Sequence, residues 1–198
     1  GYGVSALVLL GMCVLNFASI KWVMRYNSVI VWVKVLVPFW VAVVFIYCLF
    51  SWHHLRVLPG GFMPNGAMSL GRALSMGGVI FAFAGFAPSI VLAGEAKNPQ
   101  RTVPLVLFGA LSVCLVLYLL LEFAFLGSIT PAALKHGWAH VSLAHGASPF
   151  VSIAQLLHLH YFKYLILMTA LLAPLGTDII FVASSARVAQ AMSETGTF

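Results

Sequence analysis

A chain of 198 residues that is 62% hydrophobic and only 7% charged, with a mean hydropathy of +1.06, is not a soluble domain; such domains carry roughly a quarter of their residues as charges. Its net charge of +6 is the difference between 10 basic and 4 acidic residues. The basic residues are spread over loops and helix ends, which suits membrane anchoring and argues against a nucleic-acid surface.

A membrane-crossing helix needs about 20 mostly apolar residues. Five runs qualify: 2–20, 28–50, 73–94, 102–127 and 164–186. Their periodicity is helical or continuous, not the alternation of a barrel strand. The expected fold class is therefore all-α, a polytopic helical membrane bundle. An odd number of spans, with an apolar run already under way at Gly1, predicts an internal piece of a longer chain, with further transmembrane helices elsewhere.

The first two runs are separated by "KWVMRYN", read as a tight loop carrying Lys21 and Arg25. The second run holds Lys34 six residues in, about 9 Å deep at about 1.5 Å per residue. A charge at the bilayer centre costs about 2.5–3.5 kcal/mol or more. From its position alone Lys34 either snorkels to the interface or serves a function. A longer connection, 51–72, then leads to the third run.

That third run, with its continuation, reads "GGVIFAFAGFAPSIVLAGEAKNPQR" and is built to break. Pro88 has no N–H, so the Ala84 carbonyl loses its helical partner. Proline also biases Ala87 away from helical dihedrals, and Gly85 lifts the steric penalty on an unusual turn. An ordinary proline kink and a local unwinding at 84–88 both satisfy these residues. In hydrocarbon, freed backbone groups must face a wet cavity or find partners on a neighbouring helix.

The link "EAKNPQR" is expected to end this helix at Asn98-Pro99, with Thr102 capping the next and Pro104 near its start. Glu122, near the end of the fourth run, reads as interfacial. In the second long connection, 128–163, "TPAALKHG" and "SPFVSIAQLLHLHYF" each open with a capping residue and a proline. Two short helices are expected there, lying on or dipping into the membrane surface. All seven histidines (His53, His54, His136, His140, His145, His158 and His160) fall in the two long connections. Gly137 interrupts the one i, i+4 pair, His136 and His140, and there is no HExxH or Cys/His set, so no metal site and no cofactor is expected. Cys13, Cys48 and Cys114 lie in apolar runs without CxxC spacing and read as small buried hydrophobes.

The fifth run contains Asp178, about 12 Å from its nearer end at about 1.5 Å per residue. An intramembrane carboxylate is a functional candidate by default. Asp178 could bind a cationic group, pair with Lys34 or carry a proton. Alternatively, Pro174 and Gly176 kink the helix and admit water to it without a role.

The short links hold Lys21, Arg25, Lys97, Arg101 and Arg187, and the long connections hold Arg56, Arg72, Lys135 and Lys163. Five against four barely decides orientation, though the denser charge of the short links favours placing them in the cytoplasm.

"FAFAGFAPSIVLAGEAKNPQRTVP" resembles the sixth transmembrane helix of amino acid permeases of the amino acid–polyamine–organocation (APC) superfamily. The matching features are Phe81, Gly85-Phe86, Gly94-Glu95, Asn98-Pro99, Arg101 and Pro104. "LNFASIKWVMRYNSVIVWVK", with Asn16 and Lys34, resembles the junction of the fourth and fifth helices. "APLGTDIIFVASSARVAQAMSETGTF" resembles the eighth. The resemblance implies transmembrane helices 4 to 8 of an inverted-repeat transporter fold with a broken helix 6, cytoplasmic short links, and unwinding rather than a kink.

It also implies roles. Phe81 resembles the aromatic that closes over bound amino acid from outside. The backbone of Ala84, Gly85, Phe86 and Ala87 would meet the α-amino or carboxyl group of the substrate, and Phe181 resembles a pocket-lining position. Lys34 resembles the lysine that stands in for sodium in sodium-independent members, and so becomes a proton-coupling candidate beside Asp178. Glu95, Asn98 and Arg101 belong to the loop that helps form the inner gate. Some branches carry an acidic residue where this chain has Ala87, which puts any carboxylate mechanism there in doubt.

The resulting expectation is a secondary active amino acid permease in the cell membrane, not an enzyme, working by alternating access with proton symport. Its partners would be an amino acid, a proton and the lipid bilayer. An amino acid/polyamine exchanger is the alternative within the class. A non-transporting membrane scaffold and a haem-binding membrane oxidoreductase are the alternatives outside it.

Overall fold

The computed structural model of the chain describes residues 3, 10–11, 20–53, 66–76, 78–91, 98–129, 148–156 and 160–196. All regular structure among them is helical. The elements are α1 (Ile20–Leu49), α2 (Met68–Ser75), α3 (Val79–Ala82), a 3₁₀ turn (Ala84–Phe86), α4 (Ala87–Val91), α5 (Pro99–Ser128), α6 (Pro149–Leu156) and α7 (His160–Glu194). Among the described residues, three helical stretches are long and apolar enough to cross a membrane, Asn27–Leu49, Pro99–Ser128 and His160–Glu194, and the bent pair Met68–Ser75 with Val79–Phe86 would make a fourth if it is one span. The first apolar run lies almost entirely outside the described residues.

Two local expectations need correction. Residues 21–27, read as a loop from their charges, are helical and continue α1 toward its N-terminus. None of "KWVMRYN" is a glycine or proline, and lysine and arginine are good helix formers whose heads reach polar surroundings from a helix end. Next, α5 begins at Pro99 rather than behind Thr102. The Asn98 carbonyl accepts the N–H groups of Arg101 (3.2 Å) and Thr102 (2.9 Å). Pro99 occupies the first position, where its missing N–H would have had no intrahelical partner.

The helix of the third apolar run is interrupted, at more places than expected. Gly78 takes φ +77°, left-handed backbone that disfavours any side chain. The helical stretches Met68–Ser75 and Val79–Phe86 on its two sides are bent by 47° from each other. Past α3 the ladder narrows to a 3₁₀ turn over Ala84–Phe86. It then resumes as α4, with Pro88 as the second residue. Pro88 therefore sits in a first turn, where its lack of a donor is harmless.

The chain divides into two compact units, one of 1–34, 84–111 and 170–198, the other of 35–83 and 112–169. The core of the second unit is Val41, Ala42, Phe45, Ala124, Ile153 and Ala154. Phe150 of α6 stacks on Phe45 and meets Phe125, each at 5.9 Å between ring centres. In helix α6, expected to lie on or dip into the membrane surface, Val151, Ser152, Ile153 and Ala154 are all buried within the protein. Ser148 starts it by accepting the Val151 N–H at 3.4 Å. Small residues set these close packings, as in other membrane helices. Gly127 lies flat against the Phe50 ring, which a Cβ would strike.

In the first unit the close approach is between α1 and α7. Gly176 meets Asn27 and Ile30 there; the buried residues of this unit include Asn27, Pro88, Gly176, Ile179 and Ser184. Outside both cores the helices expose many large apolar side chains, among them Trp32, Leu105, Phe108, Val116 and Leu171. Water would not tolerate such an exterior; lipid tails do.

Candidate functional site

Asn27, Ile30 and Lys34 lie at i, i+3 and i+7 of α1 and so share one face. Across from them α7 presents Gly176. A Cβ built on Gly176 would stand 2.7 Å from Ile30 Cγ2 and 3.1 Å from Asn27 Oδ1. The missing side chain is what lets the two helices meet here.

That approach brings Lys34 to Thr177. The Lys34 ammonium donates to Thr177 Oγ1 at 2.8 Å, and the Thr177 hydroxyl donates in turn to the Ala173 carbonyl at 3.1 Å. Lys34 itself is half-buried. Asp178, the next residue of α7, lies within electrostatic reach of the ammonium. The two candidates for proton coupling thus fall close together, with Lys34 bonded to the residue that precedes Asp178. Asn27 adds a further feature: it is only 8% exposed, and its Oδ1 has no hydrogen-bond partner among the described residues.

The other candidates fall as follows. Phe81 is on α3 and 77% exposed. Ala84, Gly85 and Phe86 form the 3₁₀ turn, and Ala87 opens α4. Phe181 lies on α7 one turn past Thr177 and is partly exposed. Asn98 and Arg101 line a small surface hollow at the start of α5 with Pro99 and Gln100. Glu95 lies outside the described residues. Among the described residues, no cluster of three His, Cys, Asp or Glu side chains is placed to hold a metal.

Two polar groups escaped the reading of the sequence. Asn27 could have been found by its spacing of seven from Lys34. Tyr118, in the middle of the apolar α5, donates its hydroxyl to the Ala82 carbonyl at 3.2 Å. Its signal was a phenolic O–H inside a span, a donor that needs a partner in hydrocarbon.

These features define a polytopic α-helical membrane protein with an interrupted span and a partnered charge inside its helices. The chain belongs to the amino acid permease family, whose model matches residues 1–198. It is 32% identical to the glutamate/serine transporter AimA of Bacillus subtilis (strain 168), over 98% of this chain and 35% of that protein. It is 34% identical to the aspartate-proton symporter of the same organism, over 92% of this chain and 34% of that protein. A vacuolar cationic amino acid transporter 4 of Arabidopsis thaliana is 33% identical over 46% of this chain and 17% of its own length. The chain thus spans about a third of the length of the Bacillus relatives it matches. No solved structure matches it.

Proposed function

We propose that this chain is part of a secondary active amino acid transporter of the cell membrane, driven by proton symport through Lys34. The observation that carries the reading is the Lys34–Thr177–Ala173 chain of hydrogen bonds with Asp178 beside it. An intramembrane lysine is costly and is kept where its charge is used. Its proton is the species that leaves and returns as the protein alternates between its two openings. Nothing covalent is required: the work is binding, closure and release.

The substrate would meet the backbone of Ala84–Ala87, where the helix is tightened and then restarted, with Phe81 closing over it and Phe181 lining the pocket. Broken helices of this kind offer backbone groups to the charged ends of substrates. The two Bacillus relatives are named for glutamate or serine and for aspartate, which favours an acidic or small polar amino acid here. The loop of Glu95, Asn98 and Arg101 would belong to the inner gate.

The test is uptake of labelled glutamate, aspartate and serine into proteoliposomes holding the full-length protein, with an imposed inward proton gradient. Lys34→Ala should abolish the gradient-driven component. Undiminished gradient-driven uptake in that variant sinks the coupling role of Lys34. Counterflow of two substrates without any gradient would replace symport by exchange.

A further inference from the structure

The interruption of the third apolar run ends the short helix α3 at Ala82, and helix ends leave carbonyls without an intrahelical partner. At the C-terminal end of α3 the Ala82 carbonyl is one of the orphan acceptors of a helix end. The Tyr118 hydroxyl from α5 donates to it at 3.2 Å. The Tyr118 ring also meets the Phe83 ring edge to face, with 5.4 Å between centres and 74° between planes. Two polar groups that would each be stranded in hydrocarbon are satisfied by one bond.

The position of the bond gives it a consequence. On one side of Ala82 lies Phe81; on the other the chain continues through Phe83 into the 3₁₀ turn. Helix α3 is a single short piece between Gly78, whose left-handed backbone bends the chain, and that turn. A four-residue helix has little cohesion of its own. Its orientation is set by what holds it from outside: α2 approaches it across the Gly78 turn, and Tyr118 of α5 holds its far end through one hydrogen bond and one ring contact.

We propose that Tyr118 is a positioning residue for the gate: by holding the Ala82 carbonyl and the Phe83 ring it fixes the short helix that carries Phe81. This rests on the reading of Phe81 as the aromatic that closes over substrate. Tyr118 itself touches no substrate; it sets where Phe81 stands and how freely it swings.

Tyr118→Phe removes only the hydroxyl and keeps the ring contact, so the protein should fold; Tyr118→Leu removes both. Two measurements on the full-length protein are made side by side. Backbone hydrogen–deuterium exchange is followed across 79–91. Amino acid affinity is measured by equilibrium binding of the labelled substrate. For Tyr118→Phe, exchange should quicken in 79–86 and not in α5 or α7, and affinity should fall about three- to tenfold, the worth of one hydrogen bond. Tyr118→Leu should enlarge both effects. Unchanged exchange in 79–86 for both variants overturns the proposal. Quickened exchange with unaltered affinity also overturns the positioning role, because the bond then serves structure alone. Should the unmutated protein bind no amino acid, the reading as a transporter fails, while the exchange result still decides whether Tyr118 holds the break.

Discussion

Substituting Gly176 by alanine tests the packing that places Lys34. The new methyl carbon would stand 2.7 Å from Ile30 Cγ2, 3.1 Å from Asn27 Oδ1 and 3.4 Å from Ile30 Cβ. Carbon atoms rest at about 3.5–4.0 Å, so the Ile30 methyl must retreat by roughly 0.8–1.3 Å. It cannot do so by rotating, because a β-branched side chain in a helix has one strongly preferred rotamer. The helices must part instead, and overpacking of this sort costs about 1–3 kcal/mol. The Lys34–Thr177 bond, now 2.8 Å, would lengthen toward the limit of hydrogen bonding.

The assay is the thermal midpoint of the purified full-length protein together with gradient-driven uptake at a temperature where the variant is folded. Gly109→Ala is the control, because a Cβ there meets nothing within 4 Å. It should be neutral or slightly stabilising, since alanine is the better helix former by about 1 kcal/mol. Gly176→Ala should lower both readouts. Ile30→Ala removes the offending methyl, so the double variant should be less destabilised than the sum of the singles, by about 1 kcal/mol or more. A Gly176→Ala protein with an unaltered midpoint, or a double variant that is merely additive, refutes the close approach of α1 and α7 at this glycine.

Gly78→Ala places a side chain at φ +77°; it should cost about 1–2 kcal/mol, the penalty of the left-handed conformation, although a Cβ meets nothing nearby, and a midpoint equal to the unmutated protein would exclude that backbone. Phe45 is fully buried among Ala42, Ala124 and the α6 residues. Phe45→Ala should cost about 3–5 kcal/mol, read as a large fall in the denaturation midpoint. A loss under about 1 kcal/mol, the range of a surface change, would mean that α6 is not packed as described.

What the sequence revealed, and what it hid, follows from the range of the forces involved. The all-α membrane class was legible because hydropathy acts residue by residue. The interruption of the third span was legible because glycine and proline act on their own backbone. The unwinding expected over 84–88 is a 3₁₀ turn at Ala84–Phe86, while Pro88 itself sits harmlessly in the first turn of α4 and a further break, the left-handed Gly78, lies upstream. The charges of "KWVMRYN" read as a loop because charge correlates with loops, although no residue in it resists a helix. Helix α6 was legible from Ser148 and Pro149 at its start, whereas the burial of its Ser152 was not. The partners were hidden by distance along the chain. Lys34 and Thr177 are 143 residues apart, and Tyr118 and Ala82 are 36 apart.

On the proton-symport reading, the geometry around Lys34 also indicates how its charge would be sensed. A neutral amine keeps its N–H groups, so the bond to Thr177 Oγ1 can persist after the proton has left. That contact alone therefore cannot report the protonation state. The attraction to Asp178 can, because it exists only while Lys34 is charged. Thr177 then acts as the fixed point that keeps the amine in place, and Asp178 as the group whose interaction switches. Both lie on α7 beside Gly176, so the glycine that admits α1 also sets the distance over which the charge is read.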